Sequence, residues 1–232
     1  MIEHRLHKDL SGDDIGWLKA KWHFHPAGLD KRAEQGWGAL RIWNDDEIAP
    51  NAGFPLHAHA NMEIITYVRE GAVTHRDSLG NEGQTKAGDV QVMSAGTGIR
   101  HAEFNAEPVP TRILQIWITP DRQGGSPSWG SRPFPKADRA GRLVVFASGF
   151  ESDTEALPIR ARARVLGARL AVGQSLEYAL AERRRAYLVP ATGAVTVNGV
   201  RISARDGAAI QDSSIVRVEA VEESDIVMVD VP

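Results

Sequence analysis

Residues 88–105 read Gly88-Asp89-Val90-Gln91-Val92-Met93-Ser94-Ala95-Gly96-Thr97-Gly98-Ile99-Arg100-His101-Ala102-Glu103-Phe104-Asn105. Gly88-Asp89 is a turn signal, Val90–Met93 a short strand, and Ser94–Gly98 a flexible segment. His101 and Glu103 follow, two residues apart. In an extended chain alternate side chains project to one face, so this imidazole and carboxylate point together. Upstream, Leu56-His57-Ala58-His59 places two more imidazoles on one face for the same reason. If both faces look into one barrel, three imidazoles and a carboxylate converge. Such a donor set suits a divalent transition metal and leaves a position open for solvent or substrate.

Around these blocks, glycine and proline punctuate short β-branched runs, the rhythm of an all-β sandwich or barrel. Ile64–Val68 reads as a strand closed at Glu70-Gly71, followed by Ala72–His75, a turn-rich Asp77–Asn81 and the strand Arg112–Ile118. Between Pro120 and Asp138, Gly124-Gly125, Pro127, Gly130 and Pro133 mark a linker. Strands resume at Arg142–Ala147 and end with Ile226–Val229; Ala194–Val197 and Val200–Ile202 flank an Asn198-Gly199 hairpin signal. The expected division is therefore 1–125, an N-terminal metal-binding barrel, and 126–232, a second barrel. No histidine occurs from Arg139 onward, so that second barrel is expected to hold no metal.

The remaining histidines read as bystanders. His4 and His7 are expected near a mobile terminus, His23 and His25 on the surface or rim of an N-terminal strand, and His75 on an exposed strand face. The run Arg183-Arg184-Arg185 reads as a solvated charge cluster.

Composition narrows the function classes. Net charge is −3 with 42% hydrophobic and 25% charged residues, which predicts a packed globular core and no basic field for nucleic acid. The chain has no cysteine, which excludes disulfides, zinc-thiolate sites, iron–sulfur clusters and a cysteine nucleophile. Met1–Ser11 lacks the apolar core of a signal peptide, and no apolar run approaches the roughly 20 residues of a membrane span. No membrane association and a cytoplasmic location are expected.

His57-Ala58-His59 with Glu63 and Gly71 downstream, then Gly88, Ser94-Ala95-Gly96, His101 and Asn105, resemble the two cupin signatures in the correct order. Ser94 in the proline place and a longer gap from Gly96 to His101 depart from the general pattern. The segments Met62–Val68, Asp77–Asn81, Gly88–Ile99 and Gly38–Asp46 are similar to the pirin family, over about Gly16 to Asn105. Ala58-His59-Ala60-Asn61 departs from the more polar or proline-containing stretch usual in pirins, which bears on pocket shape.

The resemblance implies a bicupin with metal only in the N-terminal barrel. It also implies metal ligands at His57, His59, His101 and Glu103. Glu63, sharing strand parity with His57 and His59, is the rival fourth ligand or a residue orienting an imidazole. The implied activity is that of a metal-dependent oxidoreductase, a quercetin 2,3-dioxygenase that cleaves flavonols with O2 and uses Glu103, or Glu63 if the two exchange roles, as base. Fe(II) is the first expectation for the metal, with Cu, Ni, Mn and Zn also compatible with these donors. The alternative is an iron-containing interaction protein, its metal a redox or structural switch and its protein partner unknown. An isomerase of the metal-free cupin kind fits the four donors least.

Overall fold

The structure, a computed structural model, describes residues 1–27 and 35–232. Its strands are β1 (Ile2–Arg5), β2 (Gly12–Asp14), β3 (Leu18–Phe24), β4 (Leu40–Ile48), β5 (Ala52–His59), β6 (Glu63–Glu70), β7 (Ala72–Asp77) and β8 (Glu82–Lys86). Then come β9 (Val90–Ser94), β10 (Ile99–Asn105), β11 (Thr111–Ile118), β12 (Ser128–Arg132), β13 (Val144–Ser148), the two-residue β14 (Leu157–Pro158) and β15 (Arg164–Leu170). The series closes with β16 (Ser175–Ala179), β17 (Arg185–Thr192), β18 (Ala194–Val197), β19 (Val200–Ser203), β20 (Gly207–Ile210), β21 (Ile215–Ala220) and β22 (Ser224–Val231). The chain forms two compact units. One comprises Ser11–Phe134 with Leu157–Ala161, the other Met1–Leu10, Pro135–Ala156 and Arg162–Pro232.

In the first unit the sheet orders are β12-β9-β6-β11-β4-β3-β2 and β5-β10-β7-β8. Apolar side chains fill much of its interior, with Phe24, Leu40, Trp43, Ile65 and Ile116 among those fully buried. Ile48, Val68, Val73 and Ile113 form one cluster, and Ile64, Met93, Ala95 and Ile99 another. Polar side chains are buried alongside them: Thr66, Thr85, Gln91, Glu103 and Gln115 are each at most 7% exposed. Burying polar groups costs free energy unless they are hydrogen-bonded, so a core that spends strands on them marks a site.

The first unit also reaches further along the chain than residue 125. β12 lies inside the expected linker and pairs with β9 from Ser128↔Ser94 to Arg132↔Val90. The backbone N–H of Phe134 then donates to Asp89 Oδ1 at 3.1 Å. An unpaired β9 edge would leave its N–H and C=O groups without partners, and this segment supplies them.

The second unit orders its sheets β1-β20-β17-β22-β15-β13 and β16-β21-β18-β19. Its interior is apolar, with Leu166, Leu188, Val195, Ile202, Val216 and Met228 among the buried residues. Each such side chain contributes about 1.5–3 kcal/mol by leaving water. The hairpin turn between β18 and β19 has Asn198 at φ 45° and Gly199 at φ 85°. Two positive φ values define the turn whose twist matches its strands.

Several bystander residues are placed otherwise than expected. The N-terminus belongs to the second unit, not the first, because β1 pairs with β20 from Ile2↔Ile210 to Arg5↔Gly207. His4 there meets Asp206 Oδ2 through Nε2 at 2.9 Å, so it is anchored rather than mobile. His23 is fully buried against Trp43, not at the surface, because a register shift in β3 between Trp22 and Phe24 turns it inward. Arg184 is not simply solvated, since its Nε donates to Asp230 Oδ1 at 2.6 Å.

Candidate metal centre

His57 and His59 stand on β5 and His101 on the neighbouring β10, with His101 opposite His57 and Ile99 opposite His59. Alternation along β5 turns both its imidazoles to the face that His101 occupies on β10. The ring centroids lie 4.7 Å apart for His57 and His59, 4.5 Å for His57 and His101, and 5.1 Å for His59 and His101. One ring nitrogen from each lies within 4.8 Å of the others. Pro55 is tolerated in β5 because β5 is an edge strand.

The hydrogen bonding leaves lone pairs free for a cation. His57 Nδ1 is 2.7 Å from the Pro55 carbonyl oxygen. A carbonyl only accepts, so Nδ1 carries the proton and Nε2 keeps its lone pair. His59 Nε2 and both ring nitrogens of His101 are buried without a hydrogen-bond partner among the described residues. Burial, with His57 adjacent, lowers the His59 pKa to about 4. Burial, with His57, His59 and His75 adjacent, lowers that of His101 to about 3. Both are therefore neutral near pH 7, the form that ligates. The indole of Trp117 packs edge-on to His59 at 4.8 Å.

The two carboxylates differ in their surroundings. Glu103 is 2% exposed and accepts hydrogen bonds from Gln91 Nε2 at 2.6 Å, Gln115 Nε2 at 2.7 Å and Thr66 Oγ1 at 3.3 Å. Burial raises its pKa against those donors. It lies two residues beyond His101, where the ladder to β5 shifts register, but outside the set of atoms within 4.8 Å of one another. Glu63 faces other partners: Ser94 Oγ donates to its Oε2 at 2.5 Å, and Arg160 lies close enough to lower its pKa against the upward push of burial. Strand parity does not carry from His59 to Glu63, because Asn61 at φ 52° interrupts the extended chain.

His75 is the residue whose place differs most from the expectation of an exposed face. It is fully buried, stacked on Trp129 with centroids 4.6 Å apart and planes 6° from parallel. Its ring centroid is 5.3 Å from that of His101. The signal was present in the chain: His75 shares period-2 parity with Val73, which is buried in the apolar core.

Two cupin-type β units, the first bearing a three-histidine site for a divalent metal, define a bicupin. The profile of the family described as Pirin matches residues 4–118, and one described as the quercetinase C-terminal cupin domain matches 145–231. A pirin-like protein of Caulobacter vibrioides is 60% identical over 230 residues, 99% of each chain. A quercetin 2,3-dioxygenase of Escherichia coli K12 is 36% identical and covers 100% of this chain and 99% of its own. The crystal structure of bacterial pirin YhhW from Escherichia coli in complex with nickel(II) superposes with a TM-score of 0.93 at 34% identity. It covers 100% of this chain and 99% of its own. The chain belongs to the pirin family.

Proposed function

We propose that this protein is a metal-dependent dioxygenase of the quercetin 2,3-dioxygenase type. The observation that carries the proposal is the cluster of three imidazoles within 4.8 Å, with a buried carboxylate two residues beyond His101. The names of the relatives and the nickel bound in YhhW support it. His57, His59 and His101 are the three nitrogen ligands, and Glu103 completes the set as the oxygen donor. Glu63, engaged by Ser94, is assigned no ligand role. Fe(II), Ni, Cu, Mn and Zn all accept such donors, and Fe(II) stays the first expectation.

A divalent metal held there supplies Lewis acidity, which lowers the pKa of a flavonol hydroxyl brought to it. Glu103 takes the hydroxyl proton as general base. Gln91 and Gln115 fix the orientation of its carboxylate. Trp117, packed against His59, keeps the imidazole from turning. Over the whole reaction dioxygen is consumed, the flavonol ring opens and carbon monoxide leaves.

The test is metal content and oxygen uptake on quercetin, measured for the protein and for His101→Ala. About one equivalent of metal, lost together with uptake in the variant, supports the dioxygenase. Metal without uptake on any flavonol transfers the site to a non-enzymatic, interaction role. No metal after reconstitution refutes the centre itself.

A further inference from the structure

A histidine that ligates a metal through one ring nitrogen carries a proton on the other, and that N–H is held by an acceptor nearby. Both nitrogens of His101 are buried, and neither has a hydrogen-bond partner among the described residues. The neighbouring His75 presents the complementary group. Its Nε2 lies 3.0 Å from Asp77 Oδ2. Asp77 also accepts from the backbone N–H of Leu79 at 2.9 Å, the backbone N–H of Asn81 at 3.1 Å and Asn81 Nδ2 at 2.9 Å. Burial opposes ionisation of Asp77, yet these donors together hold its pKa below the usual range. A carboxylate so held accepts, so His75 Nε2 carries the proton and Nδ1 carries the lone pair. That Nδ1 is buried with no hydrogen-bond partner among the described residues.

The surrounding structure locks this imidazole in place. Trp129 stacks on one face of His75 and extends across β8, where a Cβ added to Gly83 would lie 2.4 Å from Trp129 Cη2. The Asp77 turn is fastened to the residue preceding His101. Ser78 N–H donates to the Arg100 carbonyl at 2.8 Å, and Arg100 N–H donates to Ser78 Oγ at 3.1 Å. Across the β7–β10 ladder His101 is opposite Asp77 and Glu103 is opposite His75.

We propose that His75 is a positioning residue for His101: its Nδ1 lone pair receives the ring N–H that His101 turns away from the metal, and Asp77 fixes the tautomer that makes this possible. The proposal rests on His101 being a ligand, as read above. Nothing in it requires His75 to touch metal or substrate.

The test compares nickel(II) affinity, by chelator competition, of the whole protein with that of His75→Phe and His75→Asn, folding being checked by near-UV circular dichroism. His75→Phe keeps a ring against Trp129 and removes the acceptor. His75→Asn loses the stack but keeps an oxygen near the Nδ1 place. The expected result is affinity about 10–100-fold lower for His75→Phe, with most of the loss recovered in His75→Asn. Unchanged affinity in His75→Phe, or equal loss in both variants, overturns the proposal as a mere packing effect. A two-bond proton–nitrogen spectrum of the metal-free protein supplies a check that needs no variant. His75 must show the Nε2–H tautomer, and an Nδ1–H tautomer overturns the proposal. If the unaltered protein binds no nickel, the metal-centre reading falls and takes this proposal with it. If the unaltered protein binds nickel and only the His75 results fail, the metal centre stands.

Discussion

Acidifying the metal-free protein destabilises its first unit through His59 and His101. In the unfolded chain both titrate at the ordinary value of 6.5, and in the folded unit at about 4 and about 3. Between those values the unfolded chain takes up protons that the folded unit refuses. Stability is thus intact above 6.5 and declines as pH falls below it, until the folded pKa of each group is reached. Each pH unit in that window costs up to about 1.4 kcal/mol per imidazole, so pH 5 costs about 2 kcal/mol for buried His101, less for half-buried His59 whose shift solvent screens, and about 2–4 kcal/mol for the pair. That is a large part of a typical domain stability of about 5–15 kcal/mol. The assay is urea unfolding at pH 7 and pH 5, followed by tryptophan fluorescence. All six tryptophans lie within Ser11–Phe134, so the signal reports the first unit alone. The reference is a double variant, His59→Asn with His101→Asn, which lacks both titrations. Asp46, Glu63 and Glu103, whose pKa values burial raises, act in the opposite sense but are common to both proteins. Their effect cancels in the difference. If both proteins lose the same stability between pH 7 and pH 5, the depressed imidazole pKa values are refuted.

Other outcomes follow from the site. At saturating metal, Glu103→Gln lowers oxygen uptake on quercetin by about 10²–10⁴-fold, the range for a lost general base; full uptake would remove Glu103 from the chemistry. Glu63→Gln retains about one equivalent of metal by element analysis, since a bicupin site of this kind closes without it, and loss of the metal would make Glu63 a ligand. Gly83→Ala drives a Cβ into Trp129 and costs about 1–3 kcal/mol, read as a lower urea midpoint in the same fluorescence assay. A wild-type midpoint there would show that the indole yields freely.

Much of the fold is encoded locally. The strand at Ile64–Val68 is a continuous run of β-branched and aromatic residues, and it lies within β6 with every one of its residues buried. Asn198-Gly199 encodes a turn because only residues that accept positive φ relieve the strain there. The pairing of His57 with His59 follows from period-2 geometry within a single strand. These features depend on neighbours in sequence, so they are legible without knowing what lies across the sheet.

Non-local contacts decided the rest. Parity places Glu63 with the histidines only while the chain stays extended, and Asn61 ends that at φ 52°. Which carboxylate the glutamines reach depends on β9 and β11 presenting Gln91 and Gln115 to Glu103, an arrangement made by strand order. Parity puts His75 on the face of Val73, but it does not say what covers a polar ring there. The ring is buried because Trp129, 54 residues onward, arrives on β12 to cover it and Asp77 meets its Nε2. The first ten residues join the second unit for a similar reason, since β20 offers an open edge more than 200 residues away. Residue type and spacing determine which face a side chain takes within its own strand. Whether that face is buried, and against which partner, is determined by strands that only folding brings together.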